Sequence, residues 1–179
     1  MKTIILGVTG SIAAYKAAYL AHQFFKKGYE VEVIMTQNAV KFITPLTFRS
    51  LTHNNVYTEM FQDNFPNDIK HISLAQKADL VLIAPASANI IGKLAGGIAD
   101  DMLSTTVMAV KDKPVLIAPA MNTNMWENPI VQENIEKLKK YGYQFIEPKE
   151  SVLACGTVGK GALASEEDIV KAALKILEQ

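Results

Sequence analysis

The chain has one cysteine in 179 residues, so no disulfide can form within it, and a zinc site built on paired cysteines is excluded by the same count. It also lacks an excess of either charge: 18 Lys and Arg balance 18 Asp and Glu. No cluster of basic residues supplies the electrostatic footprint that nucleic-acid binding requires. Long hydrophobic runs are missing as well. No window approaches the roughly 18 continuous apolar residues of a membrane helix. The apolar start of the chain is interrupted by Gly7 and Gly10, without a convincing signal-cleavage site. What remains is an ordinary globular composition, 49% hydrophobic and 20% charged. The length suits one domain over residues 1–179, expected in the cytoplasm.

Apolar, β-branched runs recur between helical patterns. Thr3–Val8, Glu30–Met35, Asp79–Ala84 and Pro114–Ala118 read as strands of a sheet covered on both faces, because they are almost continuously apolar rather than alternating. Tyr143–Ile146 reads as a last strand. Between them, Ser11 to Lys27 has apolar residues at helical spacing and Gly28 as its stop. Thr44-Pro45 opens a helix to about Leu51, and Asn128-Pro129 opens another ending near Gly142. Asp100 or Asp101 caps a helix after the turn at Gly96–Asp101, and Ser165 to Asp168 is a capping-box-like start for a C-terminal helix. Strands alternating with helices of this length imply an α/β fold with a central parallel sheet between two helical layers.

In such a sheet ligands bind outside the carboxyl ends of the strands, which singles out four loops. After the first strand, Gly7-Val-Thr-Gly10-Ser11-Ile12 leads straight into a helix, whose N-terminal amides and positive dipole end suit a phosphate. The spacing is neither a dinucleotide fingerprint nor a P-loop, and a glycine turn used only for tight packing is the plain alternative. Thr36 ends the next strand, as a polar contact or a helix N-cap. Pro85-Ala86-Ser87-Ala88-Asn89-Ile90 combines small residues that admit a flat ligand with uncharged polar groups, although Ser87 also suits an N-cap. Pro119 to Trp126 holds Met121, Asn122, Asn124, Met125 and the single Trp126. The two Asn suit a carboxylate or amide and the Met residues an apolar ligand surface; a helix-start cluster joining the core is the alternative.

Two further elements carry reactive side chains. His71 is expected just before a short helix and is the best placed of three histidines for acid–base work. Cys155 lies in Leu153 to Ala164, a stretch punctuated by Gly156, Gly159 and Gly161. That glycine content predicts a mobile flap carrying the thiol rather than a buried, inert cysteine.

These loops in this order resemble the homo-oligomeric flavin-containing cysteine decarboxylases. The match is carried by Gly10-Ser11-Ile12-Ala13-Ala14-Tyr15-Lys16, His71, Pro85-Ala86-Ser87-Ala88-Asn89, Pro119-Ala120-Met121-Asn122 with Met125-Trp126, and Ala154-Cys155-Gly156. The resemblance implies a flavodoxin-like, Rossmann-like three-layer fold that binds FMN. It assigns Gly10, Ser11 and Ile12 to the phosphate end, with Thr36 nearby. Ser87, Ala88, Asn89, Ile90 and Ala120 complete the FMN site. It makes His71 the active-site histidine, Asn122 the holder of the substrate carboxylate beside Met121 and Met125, and Cys155 the proton donor. The implied reaction oxidises the cysteinyl thiol of 4′-phosphopantothenoylcysteine to a thioaldehyde, releases CO₂ to an ene-thiolate, and reduces that to phosphopantetheine. A homotrimer or homododecamer is implied as well. Thr157, Ala162-Leu163 and Ile90 depart from common family residues.

Competing readings are a peptidyl-cysteine decarboxylase of lantibiotic type, which differs mainly in the flap, and a flavin prenyltransferase, disfavoured by Pro119-Ala-Met-Asn122 and the Cys155 flap. A non-catalytic FMN-binding regulator would carry long acidic extensions, and an electron-transfer flavodoxin an acidic surface; the net charge of zero favours neither. The chain ends on its own helix, with no room for the synthetase domain of fused relatives, so a stand-alone decarboxylase is expected.

Overall fold

A computed structural model describes residues 1–61, 68–152, 156 and 158–179. The apolar runs form a sheet of six parallel strands: β1 (Thr3–Val8), β2 (Glu30–Met35), β3 (Val56–Tyr57), β4 (Leu80–Ala86), β5 (Val115–Pro119) and β6 (Gln144–Phe145), in the order β3-β2-β1-β4-β5-β6. This is the doubly wound Rossmann order, in which chain direction across the sheet reverses between β1 and β4.

Strand alternation divides the interior into two cores. Ile4, Leu6 and Val8 face one layer, where they meet Leu20 and Phe24 of α1 (Ala14–Lys26), Phe48 of α2 (Pro45–Thr52) and Ile169 of the C-terminal helix. Ile5, Val81 and Ile83 face the other. There they meet Leu74 of α3 (Lys70–Lys77), Ile91 and Leu94 of α4 (Ala88–Gly96), Leu103 of α5 (Met102–Ala109), and Leu138. Residues this completely removed from water each contribute roughly 1.5–3 kcal/mol, so the three layers are held chiefly by the runs that first suggested them.

The remaining elements are a four-residue helix α6 (Thr123–Trp126), the helix α7 (Pro129–Lys140) that carries Leu138, an antiparallel hairpin of β7 (Lys149–Val152) and β8 (Val158–Ala162), and α8 (Glu166–Leu177). The hairpin occupies much of the stretch expected to be an irregular flap; its glycines permit pairing of β7 with β8 as well as turning. The helix expected from Ser11 begins at Ala14, because Ser11 N–H donates to Thr9 O at 2.9 Å in a preceding turn. Of the expected caps, Thr44 stands at the N-cap of α2 with Pro45 in the first turn but makes no side-chain capping bond, whereas two others do. Asn128 Oδ1 accepts from Ile130 N–H at 2.9 Å, and Ser165 Oγ accepts from Asp168 N–H at 3.1 Å.

Of the two acidic candidates before α5, Asp101 is the cap. Its Oδ1 accepts from Ser104 N–H at 2.8 Å, the Ser104 hydroxyl returns a bond to the Asp101 backbone, and Lys93 of α4 donates to Oδ2 at 2.7 Å. Burial pushes the Asp101 carboxyl up, but Lys93 and the Ser104 N–H more than offset it, leaving the group below the usual range. The stability it contributes is therefore present at neutral pH and lost as pH falls through the lowered value. Asp101→Ala should lower unfolding free energy by about 1–2 kcal/mol at pH 7 in urea denaturation, with the deficit shrinking in acid; a deficit independent of pH would contradict the pairing.

Candidate functional site

The carboxyl ends of β1 and β4, on either side of the point where strand order reverses, are tied by one side chain. Thr9 is 1% exposed; its hydroxyl donates to Pro85 O at 2.7 Å and accepts from Ser87 N–H at 2.9 Å. The Thr9 backbone N–H also reaches Pro85 O, at 3.3 Å. Both loops are thus held in one register. Gly10 then passes so close to the loop after β2 that a Cβ on it would stand 2.5 Å from Asn38 Cβ, a separation real side chains do not adopt.

These loops open into a cleft of about 530 Å³, within the usual size for a small-molecule site. One wall is the turn at Gly10, Ser11 and Ile12 leading into α1. The N-cap residue of that helix, Ala13, offers no side-chain cap; Ser11 accepts from Ala13 N–H through Oγ at 3.2 Å and from Ala14 N–H through its carbonyl at 2.9 Å, and the positive dipole end of the helix borders the cleft and suits an anion. Ala88 and Ala120 form a narrow opposite wall, with Ala120 N–H bonded to Ala86 O at 3.0 Å. Small residues there leave room for a flat ring.

The floor and roof come from the loop after β5 and the hairpin. Asn122 Oδ1 accepts from Asn124 N–H at 2.8 Å, which fixes the side chain as the cap of α6. Met121 N–H donates to Gly161 O at 2.9 Å, docking β8 over the loop. Gly161 sits at φ +144°, and a Cβ there would stand 2.3 Å from Met121 O; only glycine allows this approach. Lys16 lines the cleft but is paired with Glu166 at 3.4 Å.

Nine of the expected site residues meet in this one cleft: Gly10, Ser11, Ile12, Ser87, Ala88, Ala120, Met121, Asn122 and Met125. Ser87 combines both readings considered for it, lining the cleft while its Oγ accepts from Ile90 N–H at 3.4 Å as the N-cap of α4. Four others are not among the lining residues. Ile90 is turned by the helix into the core and is 1% exposed. Asn89 beside it is exposed to solvent. Thr36 uses its hydroxyl to accept from Ala39 N–H at 3.3 Å, the capping alternative. His71, half-buried in the first turn of α3, belongs to a helix packed against α5. Cys155 lies outside the described residues. Trp126 joins the core at 7% exposure, whereas Met125 faces the cleft, so the loop after β5 serves both purposes proposed for it.

Residues the sequence reading did not select also contribute. Thr9 was legible only as a polar residue closing an otherwise apolar strand. Lys149 and Ser151 line the cleft from β7, a strand the glycine-rich flanking sequence concealed.

A family model described as Flavoprotein matches residues 1–178. The chain is 53% identical over 179 residues to a probable phosphopantothenoylcysteine decarboxylase of Streptococcus mutans, covering 99% of this chain and 98% of that protein. It is 52% identical over 174 residues to the coenzyme A biosynthesis bifunctional protein CoaBC of Bacillus subtilis, covering 97% of this chain and 43% of the relative. The chain therefore spans less than half the length of that bifunctional relative. A solved PPC decarboxylase variant complexed with pantothenoylaminoethenethiol superposes with a TM-score of 0.91 at 33% identity, covering 99% of both chains. Solved structures described as an FMN-binding protein and an FMN-dependent cysteine decarboxylase match over 99% and 100% of this chain and 97% and 98% of theirs, with TM-scores of 0.87 and 0.86 at 33% and 30% identity.

The Thr9 bridge predicts a sharp contrast between two variants. Thr9→Val keeps the shape but removes the hydroxyl partner of Ser87 N–H and the shorter of the two bonds to Pro85 O, and should cost about 1–3 kcal/mol, a lowering of Tm by several degrees in a thermal melt. Thr9→Ser should restore most of it. Equal melting of both variants and the parent would show that the hydroxyl does not bind the loops together.

Proposed function

Because the chain belongs to the flavoprotein family, we propose that it is an FMN-dependent decarboxylase that converts 4′-phosphopantothenoyl-L-cysteine to 4′-phosphopantetheine in coenzyme A biosynthesis. The observation that carries this reading is the union, in one cleft, of an anion-accepting helix start, a narrow wall of alanines and the anchored Asn122. The 53% identity to a probable phosphopantothenoylcysteine decarboxylase over nearly the whole of both chains supports the same substrate.

The cleft fits FMN on its own chemistry. Gly10, Ser11 and Ile12 would hold the phosphate at the α1 start, and Ser87, Ala88 and Ala120 the flat ring system. When bound, the flavin supplies reversible two-electron oxidation of the cysteinyl thiol, which gives the developing carbanion an electron sink and leaves no net redox change. The protein's share is placement. Asn122, oriented by the Asn124 N–H bond to Oδ1, would hold the substrate carboxylate through its neutral amide, without a fixed positive charge that would oppose CO₂ departure. Met121 and Met125 supply apolar surface beside it, and Gly161 lets the hairpin close against the Met121 backbone and limit water. Cys155 Sγ delivers the last proton.

His71 is the general acid–base group of this proposal. It is absent from the cleft lining of its own chain, so it acts in a cleft shared with a neighbouring copy. The rim favours such an assembly: Ile12, Tyr15 and Phe42 are 59%, 61% and 50% exposed around the opening, an apolar border of the kind that partner subunits cover. We take the working form to be a homotrimer, or a homododecamer of such trimers, in the cytoplasm. No helix among the described residues is long and apolar enough to cross a membrane.

Purified protein should be yellow and release CO₂ from 4′-phosphopantothenoylcysteine but not from a cysteine-terminated peptide; the reverse preference would identify a peptide enzyme. In the same assay, Cys155→Ser should accumulate the oxidised intermediate, and His71→Asn should keep its flavin while losing turnover. Full product from the first variant, or flavin loss in the second, would remove the roles given to these residues. Sedimentation of the flavin-loaded protein should give a multiple of three chains, and an active monomer would contradict the shared cleft.

A further inference from the structure

We propose that Lys149, assisted by Ser151, receives the terminal phosphate of the substrate and makes the cleft select a phosphorylated small molecule over a peptide. This rests on the decarboxylase reading above and identifies which part of the site reads the end of the substrate remote from the reacting cysteine.

Two lysines line the cleft, and they differ in what they already hold. Lys16 is committed to Glu166, both side chains being about one-fifth exposed, at 19% and 23%. Lys149 has no carboxylate within ion-pairing distance among the described residues. Its neighbours do not supply one. Glu147 is taken by Lys160 at 2.7 Å, and Glu150 is not among the residues that line the cleft. Lys149 and Ser151 are two residues apart on one strand and both border the cleft, so an ammonium and a hydroxyl converge on the same volume.

The chemistry of the two phosphates separates their sites. The cofactor phosphate has the start of α1, at Gly10, Ser11 and Ile12. The substrate carries a second phosphomonoester, with a charge near −2 at neutral pH, and needs its own cation. Lys149 is the cleft cation whose charge is not already spent. A peptide ending in cysteine offers a carboxylate at the reacting end and no dianion at the other, so it gains nothing from this contact. Because the contact is made to the phosphate and not to the reacting carboxylate or thiol, it acts on binding rather than on the chemical step.

The test compares 4′-phosphopantothenoylcysteine with dephosphorylated pantothenoylcysteine as substrates of the flavin-loaded parent, Lys149→Ala and Lys149→Glu, following CO₂ release and flavin content. Loss of a charge-assisted bond should raise KM for the phosphorylated substrate about tenfold in the alanine variant, and further in the glutamate variant, with kcat held within about twofold. The preference for the phosphorylated substrate should collapse in parallel. Lys149 is exposed on a hairpin outside the main sheet, and a far-ultraviolet circular dichroism melt verifies that the variants fold. A preserved preference, an equal loss on both substrates, or loss of flavin would overturn the assignment. A parent protein that carries flavin but releases CO₂ from neither substrate would instead overturn the decarboxylase reading, and this assignment with it.

Discussion

Everything at the ligand end of this protein depends on one hydroxyl group as buried as the core. Thr9 Oγ1 is donor to one strand-end carbonyl and acceptor for the next loop's amide, so two chain segments from opposite halves of the sheet are fixed by a single atom. A parallel sheet provides no hydrogen bonds beyond its strand ends, and loops there are otherwise free to drift. The bridge converts that freedom into a fixed spacing between the turn that faces an anion and the alanine wall that faces a ring. Being buried, it works without competition from water, and losing it leaves the Ser87 N–H without this partner and Pro85 O with only the longer Thr9 N–H bond.

The same economy recurs around the cleft. Away from the cleft charge is paired, as at Lys93 with Asp100 and Asp101 or Lys77 with Glu30 and Glu32. Positioning is left to neutral groups and to backbone. Asn122 is oriented by a backbone amide, and β8 is docked by a backbone bond at Met121. This division suits a cleft whose ligands bring their own negative charges, because an anionic side chain at the floor would repel the carboxylate it must admit.

The layered parallel fold was legible because strands buried on both faces leave a composition no amphipathic element shares: Thr3–Val8 is buried at every position. The four ligand loops followed from topology, since carboxyl strand ends are where such sheets bind. What escaped had weak local signals. Thr9 looks like any strand-end threonine until Pro85 and Ser87 are brought against it from 76 and 78 residues away. The β7–β8 hairpin was hidden because Gly159 and Gly161 argue locally for a loop, whereas in the fold they make room for Thr123 and Met121. Ile90 and Thr36 show the opposite failure: sequence position placed them at the ligand end, but helical rotation sends one side chain inward and a local capping bond occupies the other.

The hairpin has a consequence for how this architecture diversifies. It forms a two-stranded sheet of its own, separate from the six-stranded body, and its glycine seam against Met121 and Thr123 demands little of the residues between. The residues of β7 that border the cleft, Lys149, Ser151 and Val152, can therefore change without touching the six-stranded body. A lineage, or an engineer, can rewrite which molecule is admitted while the cofactor cradle beneath keeps its amino acids and its spacing.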